Sequence, residues 1–473
     1  MSRLALVMAA GEGTRMKSRR SKVLHPVCGK PMISWVLDAL EEIKRQGFLD
    51  HLMVVIGKDA YEVREVIGNR ANCLVQEERR GTGHAVMAAA PFIDDDEVLV
   101  LTADSPLITP ETLARLCEIH RSENPVVTML GATLPDPTGY GRIIRGDGDE
   151  VLAVVEESEA GPEQKKIREI NTSTYIFDWE ALKRTLPVIS DVNAKGEYFL
   201  TDALELLVGD GERVIAFITT DSDEVLGVNS RVQLAQAEGL MRERINRRWM
   251  EEGVTMEDPS TVYIDAGVSI GRDTVLRPLV ILEGGTVIGE NCTIGPGVRI
   301  FESRLGDGVV VEQSTLRECN IEDEVTIGPY ASLRPGSHLC RGSKVGTFVE
   351  TKKTVVGEGS KVPHLSYMGD ADIGDGVNVG AGSITCNYDG REKHRTVIED
   401  EAFIGSDTMF IAPVRIGKGA VTGAGSSISR DVPPGALGVE RSKQKNIPEW
   451  EKRKQKRKSD ENKEEGDLER GNT

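Results

Sequence analysis

Along the first 230 residues, short apolar runs alternate with segments whose apolar positions recur at helical spacing. Leu4 to Ala9 reads as a buried strand, and His51 to Ile56, Val98 to Thr102 and Val126 to Leu130 read as further strands. Met32 to Ile43 carries the three-and-four spacing of an amphipathic helix. Strands alternating with helices predict a doubly wound, Rossmann-like α/β sheet, which binds ligands at the carboxyl ends of its strands. Residues 230–252 read as a long charged helix linking this half to the next.

From residue 260 the period changes. Ile264, Ile270, Leu276, Leu282, Ile288, Ile294 and Ile300 fall at a strict interval of six. The interval returns at Ile321, Ile327, Leu333, Leu339 and Val345, then at Ile373 and Val379, and at Ile398, Ile404, Phe410 and Ile416. A six-residue aliphatic period predicts a parallel β-helix, three hexads to a triangular coil, over residues 253–449. The rhythm breaks over about 357–372 and again over 385–396, and both stretches are expected to project as loops. The mixed-charge tail, 450–473, has almost no apolar residues and is expected to be disordered.

Composition narrows the class. The 473 residues exceed one core, and 50 glycines with only 39% apolar residues suit a repeat fold with small residues at its corners. With 76 acidic against 58 basic side chains the net charge is −18, which argues against nucleic-acid or anionic-membrane partners. No apolar run is long enough for a membrane span, and the N-terminus lacks the pattern of a secretory signal. Seven scattered cysteines without a CxxC pair fit a reducing, cytoplasmic setting and give no zinc signature.

The first strand runs into Ala10-Gly11-Glu12-Gly13-Thr14-Arg15, a glycine turn where backbone N–H groups can approach phosphate. Arg15 and Lys22 add positive charge. Gln76 with Gly81-Thr82-Gly83-His84 reads as a second loop facing a base edge. Asp104 ends a hydrophobic strand, where a Mg²⁺ ligand belongs. Gly139-Tyr140-Gly141-Arg142, Val155-Glu156, Ile170-Asn171-Thr172 and Gly227-Val228-Asn229 follow in order.

Together these motifs resemble the sugar-1-phosphate nucleotidyltransferases over residues 3–230, in particular the uridylyltransferases that make UDP-N-acetylglucosamine. The resemblance implies that Met8, Ala9, Ala10, Gly11, Gln76, Gly81 and Thr82 hold the nucleotide, with Thr102 and Ala103 beside them. It places Gly141, Glu156, Asn171 and Asn229 on the sugar side, Mg²⁺ on Asp104 and Asn229, and Arg15 and Lys22 on the triphosphate. The sequence departs from the family at Ser21, often proline, at Ala103, often glycine, and at Ser173, usually glycine. An anionic sugar phosphate attacking UTP needs no general base, so alignment and charge neutralisation are expected to dominate.

The β-helical half carries Arg334, Glu350, Lys352, His364, Tyr367, Asn378, Lys393 and the run Asn387-Tyr388-Asp389-Gly390. Acyl transfer to an amine needs a base near neutral pH, which suits His364, with Glu350 as a candidate to orient the ring. The stretch 334–387 resembles the acetyltransferase domain of the bifunctional uridylyltransferase/acetyltransferase family. That implies His364 as base and Arg334, Lys352, Tyr367 and Asn378 around glucosamine 1-phosphate. It also implies acetyl-CoA contacts from Ala381, Asn387, Tyr388, Ser406, Ala424 and Arg441, and a homotrimer that builds the site between subunits. The family's Glu-Met-Lys-Lys is Glu350-Thr351-Lys352-Lys353 here. The alternative is a nucleotidyltransferase whose β-helix only drives oligomerisation; His364 and the 387–390 loop speak against it.

Overall fold

The computed structural model describes residues 2–58, 60–146, 150–193 and 196–459. By density of internal contacts the chain forms two units, Met1–Glu312 and Gln313–Thr473. The division falls within the six-residue repeats.

The first unit opens with a nine-stranded sheet. Its strands are β1 (Arg3–Ala9), β2 (His51–Gly57), β3 (Asn72–Gln76), β4 (Glu97–Thr102), β5 (Val127–Thr133), β6 (Arg142–Arg145), β7 (Val151–Val155), β8 (Glu169–Asp178) and β9 (Val214–Thr219). The order is β9-β5-β8-β4-β1-β2-β3, with β6 beside β8 and β7 beside β6. Neighbours pair in parallel except that β8 runs antiparallel to β4, β5 and β6, and β6 antiparallel to β7. Along β1, Ala5, Val7 and Ala9 pack into one core with Val36, Leu37 and Leu40 of helix Met32–Arg45 and Leu113 and Leu116 of helix Pro110–Glu123. Leu4 and Leu6 pack into the other core with Val86, Leu182 and Leu204 from helices Thr82–Ala89, Trp179–Thr185 and Thr201–Gly209. Side chains of a strand alternate between faces, so a continuous apolar run is what a sheet covered on both sides requires. Each predicted strand and the predicted helix is present within a few residues of its expected bounds.

Helix Arg231–Glu251 follows, its start capped by the Ser230 hydroxyl accepting from the Gln233 N–H at 3.2 Å. Two- and three-residue strands then stack in parallel, anchor on anchor. In the first unit Leu276 lies over Ile294 and then Val311, Ile264 over Leu282 and Ile300, and Ile270 over Ile288 and Leu305. In the second, Ile321, Leu339, Val356, Ile373, Ile398 and Ile416 form one buried column. This is a parallel β-helix, whose coils bury what single coils expose.

Two expectations are corrected. Residues 357–372 do not project. They contain strands Lys361–His364, Tyr367–Gly369 and Ala371–Ile373, stacked like the rest, and the anchors Val356, Val362, Met368 and Ile373 are all buried. The period slips because two rungs have five residues instead of six, which shortens a corner without ejecting a loop. In the tail, residues 450–459 are helical with exposed side chains, supported by a Lys452–Glu449 pair at 2.8 Å; the rest of the tail lies outside the described residues. The second break behaves as expected: between strands Ile384–Cys386 and Thr396–Ile398 the chain leaves the coil and folds on itself through a Tyr388–Lys393 bridge.

Candidate active sites

At the carboxyl ends of β1, β3 and β4 the sheet opens into a cavity of about 550 Å³. Met8, Ala9, Ala10 and Gly11 line it from the first strand and its turn, Gln76, Gly81 and Thr82 from the second loop, and Lys22, Thr102 and Asp104 from its floor. Two glycines are sterically required. Gly13 has φ +61°, and a Cβ there would stand 2.6 Å from Lys22 Cβ. Gly81 has φ +106°, and a Cβ would stand 2.5 Å from the Tyr198 carbonyl oxygen. The N–H of Gly83 donates to that oxygen at 2.8 Å, which locks the loop against residue 198. Gln76 is buried, and its amide nitrogen lies 2.8 Å from His84 Nδ1, which fixes the amide in the cavity wall.

On the floor, Lys22 Nζ is ion-paired with Asp104 and donates to Asn229 Oδ1 at 3.0 Å. Residues 82 and 207 positions apart in sequence thus converge on one cation. The Val228 N–H donates to the Asp104 carbonyl at 2.8 Å and brings the later loop to β4. A carboxylate and an amide oxygen already gathered round a positive charge are a donor set that fits a hard divalent metal.

Asn171 sits at a bulge in β8. Its Oδ1 accepts from Tyr175 Oη at 2.9 Å and from the Ser173 N–H at 3.1 Å, and its N–H donates to the Gly141 carbonyl at 2.9 Å. Ser173, where the family usually has glycine, adopts φ +58°. The bulge therefore demands the left-handed conformation that glycine takes more readily. Ser21, by contrast, has φ −53°, which proline would also adopt. Ala103 is fully buried behind the cavity and does not line it.

Arg15 is exposed on the short helix Thr14–Met16 and is not on the cavity wall. Gly141, Glu156 and Asn171 also lie outside the lining. Residues not expected from sequence do line it: Arg79 and Glu12, paired at 3.0 Å, and Glu197. Arg79 follows Gln76 by three, but a charged residue in a polar loop carries no signal of its own. Burial, then the charge of Glu205 one helical turn on and those of Glu159 and Glu156 from further off in the sequence, push Asp202 up to about 6.

The second set lies on the outer face of the β-helix. Glu350, Thr351 and Lys352 form one strand. Alternation turns Thr351 inward, stacked between Leu333 and Met368 with its hydroxyl 2.8 Å from Ser337 Oγ. The threonine that replaces the family's methionine is thus a core residue. Glu350 pairs with Arg334 at 2.8 Å from the neighbouring coil. It does not reach His364, so its expected role as orienter is not realised within this chain. His364 ends strand Lys361–His364 with its ring exposed and without a hydrogen bond among the described residues; only its carbonyl is engaged, by Ser366 Oγ at 2.8 Å and the Gly382 N–H at 3.3 Å.

Tyr367 stacks on Glu350 in register and receives a 3.5 Å hydrogen bond from Asn387 Nδ2, which also donates to Asp370 at 2.5 Å. The neighbouring Lys393, of like charge, holds the Lys352 ammonium below the usual lysine range. Arg334 adds to that positive charge. Asp370 opposes this in part, and the cluster of like charges forms a place for an anion. Asn378 stacks on Lys361, the Ala381 carbonyl accepts from the Asp407 N–H at 2.7 Å beside Ser406, and Arg441 donates to the Ala424 carbonyl at 3.0 Å. Tyr388 is exposed on the projecting loop.

A strand-end cavity built to take a phosphorylated nucleotide, followed by stacked hexad coils, defines a nucleotidyltransferase joined to a hexapeptide-repeat transferase. The nucleotidyl transferase family profile matches residues 4–254, the six-repeat bacterial transferase hexapeptide profile matches 267–302, and the hexapeptide repeat of succinyl-transferase matches 395–430. The β-helix is of the left-handed kind that such repeats form. "Bifunctional protein GlmU" of Heliobacterium modesticaldum is 52% identical over 94% of this chain and 96% of its own length. Proteins of the same name from Thermoanaerobacter pseudethanolicus and Desulfitobacterium hafniense are 49% and 48% identical over 94% and 96% of this chain and 97% and 99% of theirs. The chain belongs to the bifunctional GlmU family, the N-acetylglucosamine-1-phosphate uridylyltransferase / glucosamine-1-phosphate N-acetyltransferases.

Proposed function

We infer that the two sites act in turn on one amino-sugar phosphate, and that the residues gathered in each perform the steps as follows. The chain is a bifunctional transferase of UDP-N-acetylglucosamine synthesis: it acetylates glucosamine 1-phosphate from acetyl-CoA, then couples the product to UTP and releases pyrophosphate. The observation that carries the nucleotidyl assignment is the convergence of Asp104 and Asn229 on Lys22, which lies on the floor of the cavity beneath the glycine turn.

In the acetyl site the substrate ammonium gives up one proton to solvent, and the free amine attacks the thioester carbonyl while His364 takes the second proton from the nitrogen. The tetrahedral adduct collapses to amide and CoA thiolate, and the imidazolium returns its proton to the thiolate. Lys352, Lys393 and Arg334 hold the sugar phosphate, and Tyr367 and Asn378 its ring. Tyr388, Asn387, Ala381, Ser406, Ala424 and Arg441 contact acetyl-CoA. The His364 ring has no hydrogen-bond partner among the described residues, and an exposed apolar ridge runs beside it. Tyr330 and Phe348 stack there at 5.3 Å, with Leu365 next along the ridge. Both features support a homotrimer in which a neighbouring subunit completes the site.

In the nucleotidyl site Gln76 and the Gly81–Thr82 turn read the uracil, and the backbone of residues 10–13 cradles the phosphates. Asp104 and Asn229 would hold a divalent metal, Mg²⁺, which when bound supplies neutralising charge for the triphosphate. Lys22 then shifts its ammonium from these oxygens to the α-phosphate. Arg15, free on its short helix, closes over the departing pyrophosphate. Asn171, Glu156 and Gly141 orient the acetamido sugar so that its phosphate oxygen attacks in line.

Incubating the protein with glucosamine 1-phosphate, acetyl-CoA, UTP and Mg²⁺, and omitting each in turn, tests this reading. UDP-N-acetylglucosamine should form only with all four present. Product that required supplied N-acetylglucosamine 1-phosphate would leave the β-helix as a scaffold.

A further inference from the structure

On another edge of the β-helix, three side chains of different chemistry meet. His338 and Cys340 flank the buried anchor Leu339, Cys340 just past the end of strand His338–Leu339, so alternation along the extended backbone sends both outward. Glu322 flanks the anchor Ile321, which stacks on Leu339 in the preceding coil. Glu322 Oε1 lies 2.8 Å from His338 Nε2, and one ligand atom from each of Glu322, His338 and Cys340 falls within 4.8 Å of the others. The Arg341 N–H holds the second carboxylate oxygen, Oε2, at 3.0 Å, which aims Oε1 at the other two groups. The Arg341 guanidinium is turned away onto Glu324 and Asp323, at 3.5 and 3.9 Å. The field is acidic: Glu322, Asp375 and Glu358 all act on the Cys340 thiol, which burial in the first place holds above its usual range.

We propose that Glu322, His338 and Cys340 form a site for a borderline-soft divalent cation of the zinc class, separate from both transferase sites. One imidazole nitrogen, one thiolate and one carboxylate oxygen are a zinc-type donor set, whereas Mg²⁺ has little affinity for sulfur. Ligand atoms round a tetrahedral zinc stand about 3.3–3.8 Å apart, so His338 and Glu322 separate slightly and Cys340 closes in. The fourth position faces solvent and takes water. On binding, the sulfur–hydrogen bond of Cys340 is replaced by a sulfur–metal bond and one proton leaves to solvent. Because Glu322 belongs to one coil and the other two ligands to the next, the ion ties consecutive coils together. It binds the folded chain only, and so stabilises it.

The test titrates chelator-treated full-length protein with Co²⁺ and follows the near-ultraviolet thiolate-to-cobalt charge-transfer band, then displaces Co²⁺ with Zn²⁺. One equivalent should produce the band. Cys340→Ser should abolish it, and His338→Ala should weaken binding by roughly 10- to 100-fold or more. Asp104→Asn should leave the band intact, since that site offers no sulfur. Zn²⁺ should raise the unfolding midpoint of the parent but not of Cys340→Ser. Circular dichroism confirms that each variant is folded. Absence of the band, its survival in Cys340→Ser, its loss in Asp104→Asn, or unchanged affinity in folded His338→Ala would overturn the proposal.

Discussion

The nucleotide cavity and the acetyl site differ in how much of their surroundings one chain supplies. Lys22 and Asp104 sit on the floor of a walled pocket, and Asn229 joins them through Lys22, each held by a partner from a distant stretch. His364, Tyr388 and Arg334 lie on an open outer face, and the histidine ring makes no hydrogen bond among the described residues. A sheet whose strands end side by side, with loops rising from each, encloses a site by itself. A β-helix spends its inward positions on anchor columns and has only its outside left for chemistry. Walls for a site on that outside have to come from an inserted loop or from another subunit.

The comparison is broken most sharply by single substitutions in each half. Asp104→Asn should lower uridylyl transfer by about 10²–10³-fold or more, through loss of charge where the phosphates react, and leave acetylation near normal. Assaying both reactions on the same preparation checks this; equal loss of both in a folded protein would refute separate sites. His364→Ala should do the reverse, lowering acetylation by roughly 10²–10⁴-fold, and acetyl transfer at parental rate would remove the histidine from its role.

Gly81→Ala probes the walled site through its backbone. With φ at +106° and the Tyr198 carbonyl in the way, it should cost about 2 kcal/mol of stability and raise KM for UTP, measured by denaturant unfolding and steady-state kinetics. Asp202 offers a pH test. Its folded pKa, about 6, lies above the ordinary carboxylate value, so the folded state binds more protons between the two. Stability is therefore fully present at low pH and falls as pH rises through that window. Asp202→Asn should flatten this loss and gain on the order of 1 kcal/mol at pH 7 in urea unfolding. The smallest effect is expected from Ser173→Gly. Relief of the left-handed serine should outweigh the added chain entropy by about 0.5–1 kcal/mol, with sugar specificity retained. An unchanged urea midpoint would show that the serine bears no strain.

Periodicity carried the architecture because burial imposes it: unbroken apolar runs on strands covered on both faces, helical spacing where one face is buried, and every sixth residue in a coil. Leu4–Ala9, Met32–Ile43 and the Ile264–Ile300 series could be read from the chain alone. The reading failed at 357–372, where five-residue rungs imitate a loop, since a shortened corner and an insertion both disturb a period. It also set Glu350 beside His364 because both belong to one run of motifs. The strand register instead sets Glu350 between Ser332 and Tyr367, with its carboxylate on Arg334.

By itself, then, the sequence determined the order of the halves, the repeat, the glycine turn and the chemical types each site needs, because these depend on local spacing and residue identity. Only the tertiary structure decided which of those residues meet. It joined Asp104 to Asn229 through Lys22, turned Thr351 into the core, left Arg15 off the cavity wall and brought Arg79 onto it. It also gathered Glu322, His338 and Cys340 across two coils. Such meetings follow from strand order and register, which link residues up to 207 positions apart and leave no mark on the spacing of either.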